Sequence, residues 1–414
     1  MYDMINKTIF IIFLLALTNI AVLSQWIQQH NIGTPLYNVD FVNQNTGWVT
    51  GNNSVILKTT NGGLNWISQT IDLVYPKSLY GLDMLDANTG YIVGWFETIL
   101  KTTNGGQNWN IISNVPSNNG NSNNACSFIN VQTGWICSAL GRVLRTTNGG
   151  FSWDTSFAIN ILRDIQFLNA QTGWVCGDGG TLFKSTNGGL NWIDHSNISN
   201  SDLDLFFLNP NTGWVVGEQS NHIFKTTNGG SNWDTIAQLP GGSLMYSYCV
   251  YFASPQVGYV GGTYTRLFKS VNGGFNWGRD VLSDLGFINN FSFLNDTLGW
   301  AVAGGTIIHT INGGSIVKVE QIGTQLPLAF ELFQNYPNPF NPATVIRFNI
   351  TNRTHARIRI FDIQGKEFNV LVNQLVNPGS YQIVWNAGNN PSGIYFYRIE
   401  TEYFAETKKM VLIK

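Results

Sequence analysis

The chain repeats itself. A Gly-Trp or Gly-Tyr pair stands at Gly47-Trp48, Gly90-Tyr91, Gly134-Trp135, Gly173-Trp174, Gly213-Trp214, Gly258-Tyr259 and Gly299-Trp300. An Asn-Gly-Gly run begins at Asn61, Asn104, Asn148, Asn187, Asn228, Asn272 and Asn312. Both marks recur every 39 to 45 residues, the length of a four-stranded propeller blade. A unit this short cannot bury its apolar face alone. Neighbouring units must stack, and the stack must close on itself to hide its last face and edge.

Within one unit the alternation predicts four strands. Leu36 to Asn43 reads as the first, with a turn at Gln44-Asn45-Thr46-Gly47. Trp48 to Gly51, Val55 to Thr60 and Trp66 to Thr70 follow, and Asn61-Gly62-Gly63 is a hairpin turn between the last two. No repeat shows a sustained helical period. Composition agrees: charged residues are only 11% and aromatics 13%, with 44 Gly and about 50 Asn. That excludes a disordered chain, and a net charge of −2 excludes phosphate-driven nucleic-acid binding.

The seventh unit lacks its fourth strand, because Ser315-Ile316-Val317 replaces the expected Trp. Gln25-Trp26-Ile27-Gln28-Gln29 looks like Asn65-Trp66-Ile67-Ser68-Gln69. Residues 25–32 are therefore expected to complete the last blade. This predicts a seven-bladed β-propeller over 25–314, a linker over 315–326 and a second domain over 327–414. The propeller stretch (25–326) carries −5 and the remainder +3.

The hairpin reads Thr59-x-Asn61-x-Gly63-x-Asn65-Trp66, with an Asn able to bond its own turn and a Trp to cover it. It resembles the Asp-box of BNR-type propellers, with Asn in place of Asp. The box residues are Asn61 and Trp66, Asn104 and Trp109, Asn148 and Trp153, Asn187 and Trp192, Asn228 and Trp233, and Asn272 and Trp277. The combined pattern resembles the propeller of photosystem II stability/assembly factors over roughly residues 26–314.

After residue 326 the repeat is gone. Val345, Arg347 and Asn349 alternate with Ile346, Phe348 and Ile350, which predicts strands of a small Ig-like β-sandwich. The runs Tyr336-Pro337-Asn338-Pro339-Phe340-Asn341-Pro342 and Pro391-Ser392-Gly393-Ile394-Tyr395, with a terminal strand bearing Lys408, Lys409 and Lys414, resemble the type A C-terminal sorting domain of the type IX (Por) secretion system. The resemblance implies a Gram-negative host and Sec export to the periplasm. The type IX machinery would be the partner of this domain and would carry the chain through the outer membrane. Removal by a sortase-like peptidase would fall within 315–327, and the cargo would be released or attached to surface lipopolysaccharide.

The N-terminus fits export. Lys7 precedes the apolar run Ile9 to Leu17, too short for a spanning helix, and a signal peptide over 1–24 is expected with no membrane span after processing. The four cysteines, Cys126, Cys137, Cys176 and Cys249, are no disulfide scaffold. Cys137 and Cys176 read as small buried residues; a Cys126–Cys137 bridge is left open.

No spacing of the five histidines suits a metal, and no nucleophile or phosphate-loop motif occurs, so no cofactor, metal or catalytic residue is expected. Three residues before each box Asn stands Lys58, Lys101, Arg145, Lys184, Lys225, Lys269 or His309. These read either as long side chains laid across aromatics or as a cationic ring. Binding is expected on the opposite face, where the loops vary, through Trp95, Glu97, Arg142, Asp178, Glu218, Tyr264 and Arg266. Arg163, Asp164 and Asp204 lie in the connections on that side. The favoured function is a non-enzymatic secreted or surface propeller that binds a protein or glycan. The alternatives are a propeller glycoside hydrolase, with Glu97 beside Glu218 or Asp178 as carboxylates, and an assembly factor of a membrane complex.

Overall fold

The structure is a computed structural model. It describes residues 26–413 apart from 72, 74, 113–120, 158–159, 197, 199–202, 218–220, 240–246, 264–265, 282–284, 312, 315–319, 324–325, 366 and 388–390. The expected leader over 1–24 lies outside the described residues.

Strands dominate, with one short 3-10 turn at Asp178–Gly180. Up to Gly314 they form seven four-stranded antiparallel sheets. The first holds Leu36–Phe41, Gly47–Gly51, Ile56–Thr59 and Ile67–Ser68 in sequence order. The fourth strand is shorter than the alternation suggested, because Trp66 leaves the ladder to cover the hairpin. In sequence order each inner strand lies against the next, and that of the seventh sheet (Ile288–Phe293) lies against that of the first. The sheets thus close into a propeller, and we number them as blades in chain order.

The seventh blade is finished from the N-terminus. Ile27–Asn31 pairs antiparallel with Thr306–Thr310, from Ile27 opposite His309 to Asn31 opposite Thr306. Trp26 is 3% exposed and packs on Tyr259, Phe291 and Phe293.

The Gly-Trp pair has a packing cause. A Cβ on Gly47 would stand 2.5 Å from the ring of Phe41. Only glycine lets that ring lie flat on its own second strand. The other side of Phe41 stacks on Trp300 of the preceding blade at 3.5 Å between centroids, and Trp66 closes it edge-on at 5.8 Å. The same stack joins Tyr91 to Phe128, Trp135 to Phe167, Trp174 to Phe207, Trp214 to Phe252 and Tyr259 to Phe293. Each such pair contributes about 0.5–1.5 kcal/mol beyond area burial.

The hairpin box is a hydrogen-bonded knot. Thr59 Oγ1 accepts from Gly63 N–H at 2.9 Å, and Asn61 Oδ1 accepts from Asn65 N–H at 2.9 Å. Gly62, with φ at 72°, donates to the Asn45 carbonyl at 2.9 Å, which ties the box to the neighbouring turn.

Beyond the propeller, two further four-stranded sheets enclose one core that includes Phe348, Ile358, Trp385, Tyr397 and Met410. One sheet contains Ala343–Ile350 and Gly379–Asn386; the other contains Thr354–Phe361 and Ala405–Leu412. The stretch expected as linker differs in one respect. Glu320–Gly323 is a strand that pairs with Gly379–Asn386, with Glu320 opposite Gln382, so part of 315–326 extends this sheet. A strand edge with unpaired N–H and C=O groups draws in whatever chain lies next to it. All four cysteines are free thiols, so the Cys126–Cys137 bridge is not formed. Ala125, not Cys126, stands opposite Cys137 in the ladder.

Candidate functional site

Antiparallel order puts the one-to-two and three-to-four turns of every blade on one face of the disc. The two-to-three turns and blade connections share the other.

On the box face the cations are turned to structural use. Lys58 Nζ lies 4.9 Å from the Trp48 ring centre and donates to the Gly105 carbonyl of the next blade at 2.6 Å. Lys101 reaches Gly149 at 2.9 Å, Lys184 reaches Gly229 at 2.7 Å and Lys225 reaches Gly273 at 3.0 Å. Burial lowers the pKa of all four. Arg145 lies 3.5 Å from Asp154, and Lys269 sits over Tyr259. His309 stacks on Trp300, and burial lowers its pKa to about 4. The lysines lie across aromatics and staple adjacent blades.

The axis is lined by the inner strands, and every seam between blades carries at least one side chain bonded to the next strand's backbone. Asp40 accepts from Met84 N–H at 2.8 Å, Asp83 from Phe128 at 2.5 Å, Ser127 from Phe167 at 3.0 Å and Gln166 from Phe207 at 2.6 Å. Asp204 accepts from Val250 N–H at 2.8 Å, the Tyr251 hydroxyl donates to the Phe293 carbonyl at 2.9 Å, and Ser292 accepts from Phe41 N–H at 3.0 Å. Burial raises the pKa of Asp40 to about 6. Burial and then the Asp40 charge raise Asp83 to about 7. Burial likewise raises Asp164 to about 6, and lifts Asp204 with help from Asp164. Asp164 and Asp204 thus belong to the channel wall, not to free loops. The wall went unread in the sequence although it had a signal: a polar or aromatic residue precedes the Phe or Met that ends each first strand.

On the variable face, Glu97 of blade two and Arg142 of blade three form an ion pair at 3.1 Å, with side chains 13% and 3% exposed. Asp178 and Arg163 of blade four pair at 2.5 Å. Arg266 is half-buried at the start of its strand. Trp95 is exposed and lies 4.4 Å from Phe96. Glu218 and Tyr264 lie outside the described residues. Of the carboxylates considered for glycoside cleavage, Glu97 thus faces an arginine of the adjoining blade and Asp178 one of its own blade. Tyr37 and Tyr80 meet at 5.0 Å at the head of the first two inner strands. Leu140 and Phe287 add exposed apolar surface on this side. In the second domain, Lys408 pairs with Glu406 at 2.9 Å and Lys409 is exposed, while Lys414 lies outside the described residues.

Among the described residues no group of His, Cys, Asp and Glu is arranged to hold a metal ion. No described helix is long and apolar enough to cross a membrane.

A closed ring of four-stranded, box-tipped sheets followed by a two-sheet domain defines an all-β propeller protein with an appended module. The family model described as photosynthesis system II assembly factor YCF48 matches residues 18–157 and 154–247, and the chain belongs to that family. The model described as secretion system C-terminal sorting domain matches residues 334–414. That domain makes this a chain exported through the type IX route to the cell surface or beyond, with the secretion machinery as its partner.

Among solved structures, a YCF48 bound to a D1 peptide is similar at 20% identity and TM-score 0.60, covering 69% of this chain and 96% of that one. YCF48 from Cyanidioschyzon merolae is similar at 15% identity and TM-score 0.58, covering 70% and 99%. The WD40 propeller domain of Doa1 shares the fold at 10% identity and TM-score 0.57, covering 69% and 96%. No curated protein matches the chain in sequence.

Proposed function

We propose that the chain is an exported, non-catalytic propeller that binds a segment of another protein on its variable face. The observation that carries this is the disposition of charge there. Glu97 with Arg142, and Asp178 with Arg163, neutralise one another, while Trp95, Phe96, Leu140 and Phe287 stay exposed. Hydrolysis of a glycoside calls for two carboxylates facing a common substrate, and sugar recognition calls for hydrogen-bonding groups left open to hydroxyls. Apolar side chains around paired charges suit a polypeptide better than either. A relative of the same fold is described as bound to a D1 peptide, which supports a peptide over a glycan.

Peptide and glycan arrays probed with the purified exported chain test this. Capture of peptides with no turnover of fluorogenic glycosides is expected. Selective capture of glycans, or turnover abolished by Glu218→Gln, would overturn it.

A further inference from the structure

In blade two the turn between the second and third strands carries residues unlike those of blades one and four. It reads Trp95-Phe96-Glu97-Thr98, and its two central residues hold φ at 53° and 54°. Blade one fills the same positions with Asn53 and Ser54, and blade four with Gly179 and Gly180. At the first of these positions Asn53 and Gly179 accept a left-handed backbone at little cost; Phe96 does not. Strain of this kind persists only where the surroundings enforce it, and it gathers at sites of function.

The surroundings here do enforce it. Glu97 N–H donates to the Asn121 carbonyl at 2.7 Å, Thr98 Oγ1 donates to the Trp95 carbonyl at 2.6 Å, and Trp95 N–H donates to the Ser78 carbonyl at 2.8 Å. The Glu97 carboxylate is anchored on Arg142 of the next blade. The turn so held supports two large rings that remain 44% and 50% exposed. Lys77 Nζ lies 5.9 Å from the centre of the Phe96 ring, and Tyr75, 73% exposed, stands two residues before it. Neither ring belongs to the hydrophobic core of blades one and two, which among the described residues is built from others, among them Trp48, Leu82, Ile92 and Trp109.

We propose that Trp95, Phe96 and Lys77 form the primary subsite of the variable face, and that it takes a proline or aromatic side chain lying next to an acidic one in an extended peptide. The rings offer a rigid apolar platform with little rotamer entropy left to lose. The lysine adds a positive charge at its rim, whereas the nearby charge of Arg142 is already matched by Glu97. The ligand's carboxylate would meet Lys77, and its flat side chain would lie on the rings.

This rests on the peptide-binding reading, and the test separates the two. The probe is a synthetic peptide set with Pro, Tyr, Phe or Trp beside Asp or Glu, against counterparts with Lys in place of the acids. The exported chain should favour the acidic set by roughly tenfold. Trp95→Ala combined with Phe96→Ala should weaken that binding by roughly tenfold or more. Lys77→Gln should weaken only the preference for acidic peptides and its salt dependence. Peptide capture that survives the double substitution, or equal binding of both sets, sinks the subsite and leaves the broader reading standing. If the unaltered chain captures no peptide at all, both fall. Phe96→Gly serves as a folding control, because it removes one ring and relieves the backbone at once.

Discussion

Trp26 meets Phe293 edge-on, with centroids 5.8 Å apart and planes at 88°. Trp66 meets Phe41 at 5.8 Å and 87°. The first described residue of the chain therefore occupies the box tryptophan's place in the seventh blade, where a Cβ on Gly314 would run into it. Trp26→Ala should cost about 3–5 kcal/mol, the usual range for emptying a buried tryptophan site. Removing residues 25–32 should cost more. Urea unfolding measures both, and an unchanged midpoint would show that blade seven holds without its borrowed strand.

Phe96→Gly should stabilise the protein by about 1 kcal/mol, because the left-handed turn strains phenylalanine but not glycine. Differential scanning calorimetry checks the direction. A fall in Tm would mean that the ring contributes more to folding than its exposure suggests.

The channel carboxylates make stability depend on pH. Asp40 and Asp83 titrate near 6 and 7 in the folded chain, above their ordinary 3.8, so folding favours the protonated forms. Their contribution is full below the unfolded value and is lost as pH rises through 6 to 7. The urea midpoint should therefore rise as pH falls from about 8 toward 6. His309 acts oppositely, with a folded value lowered to about 4 from 6.5, so its own contribution shrinks as pH falls below 6.5 and offsets part of the gain from the carboxylates. Asp83→Asn keeps an oxygen for Phe128 N–H and removes the charge. At pH 8 it should gain about 1 kcal/mol, because the charge that burial and Asp40 disfavour is gone; the figure is kept small because the side chain is only partly buried and water reaches it. A variant whose midpoint follows the same pH curve as the unaltered chain would contradict this.

Lys101→Gln should lose about 1–2 kcal/mol, since the Gly149 carbonyl gives up a charged donor. Retention on an anionic matrix should hardly change when Lys58, Lys101 and Lys184 are all replaced by Gln, because their ammonium groups are turned onto the next blade. Clear loss of retention would restore the idea of an electropositive ring.

The scaffold was legible because the repeat forces it. Gly47, Trp48, Asn61 and Trp66 each have one packing role, and that role recurs from blade to blade, with Met84 in place of the Phe at one seam. The closing strand was legible too, since Trp26-Ile27 imitates Trp66-Ile67. The geometry of the variable face is less legible. Trp95 and the pair Glu97 with Arg142 were singled out, but composition gives no sign that an acid and a base from different blades will meet. In the sequence Phe96 is one loop aromatic among others, because a strained φ leaves no mark in a one-letter string. Asp40 and Asp83 looked like ordinary strand residues until the ring turned them toward the axis. The strand at Glu320–Gly323 escaped notice because its partner, Gly379–Asn386, lies some sixty residues away.

Gly314, which seats Trp26, is also the last described residue before the chain departs for the sorting domain. A tug on that domain consequently reaches the ring at its clasp, where two ends nearly three hundred residues apart are fastened together. Traction on the sorting domain would load this fastening before any other blade.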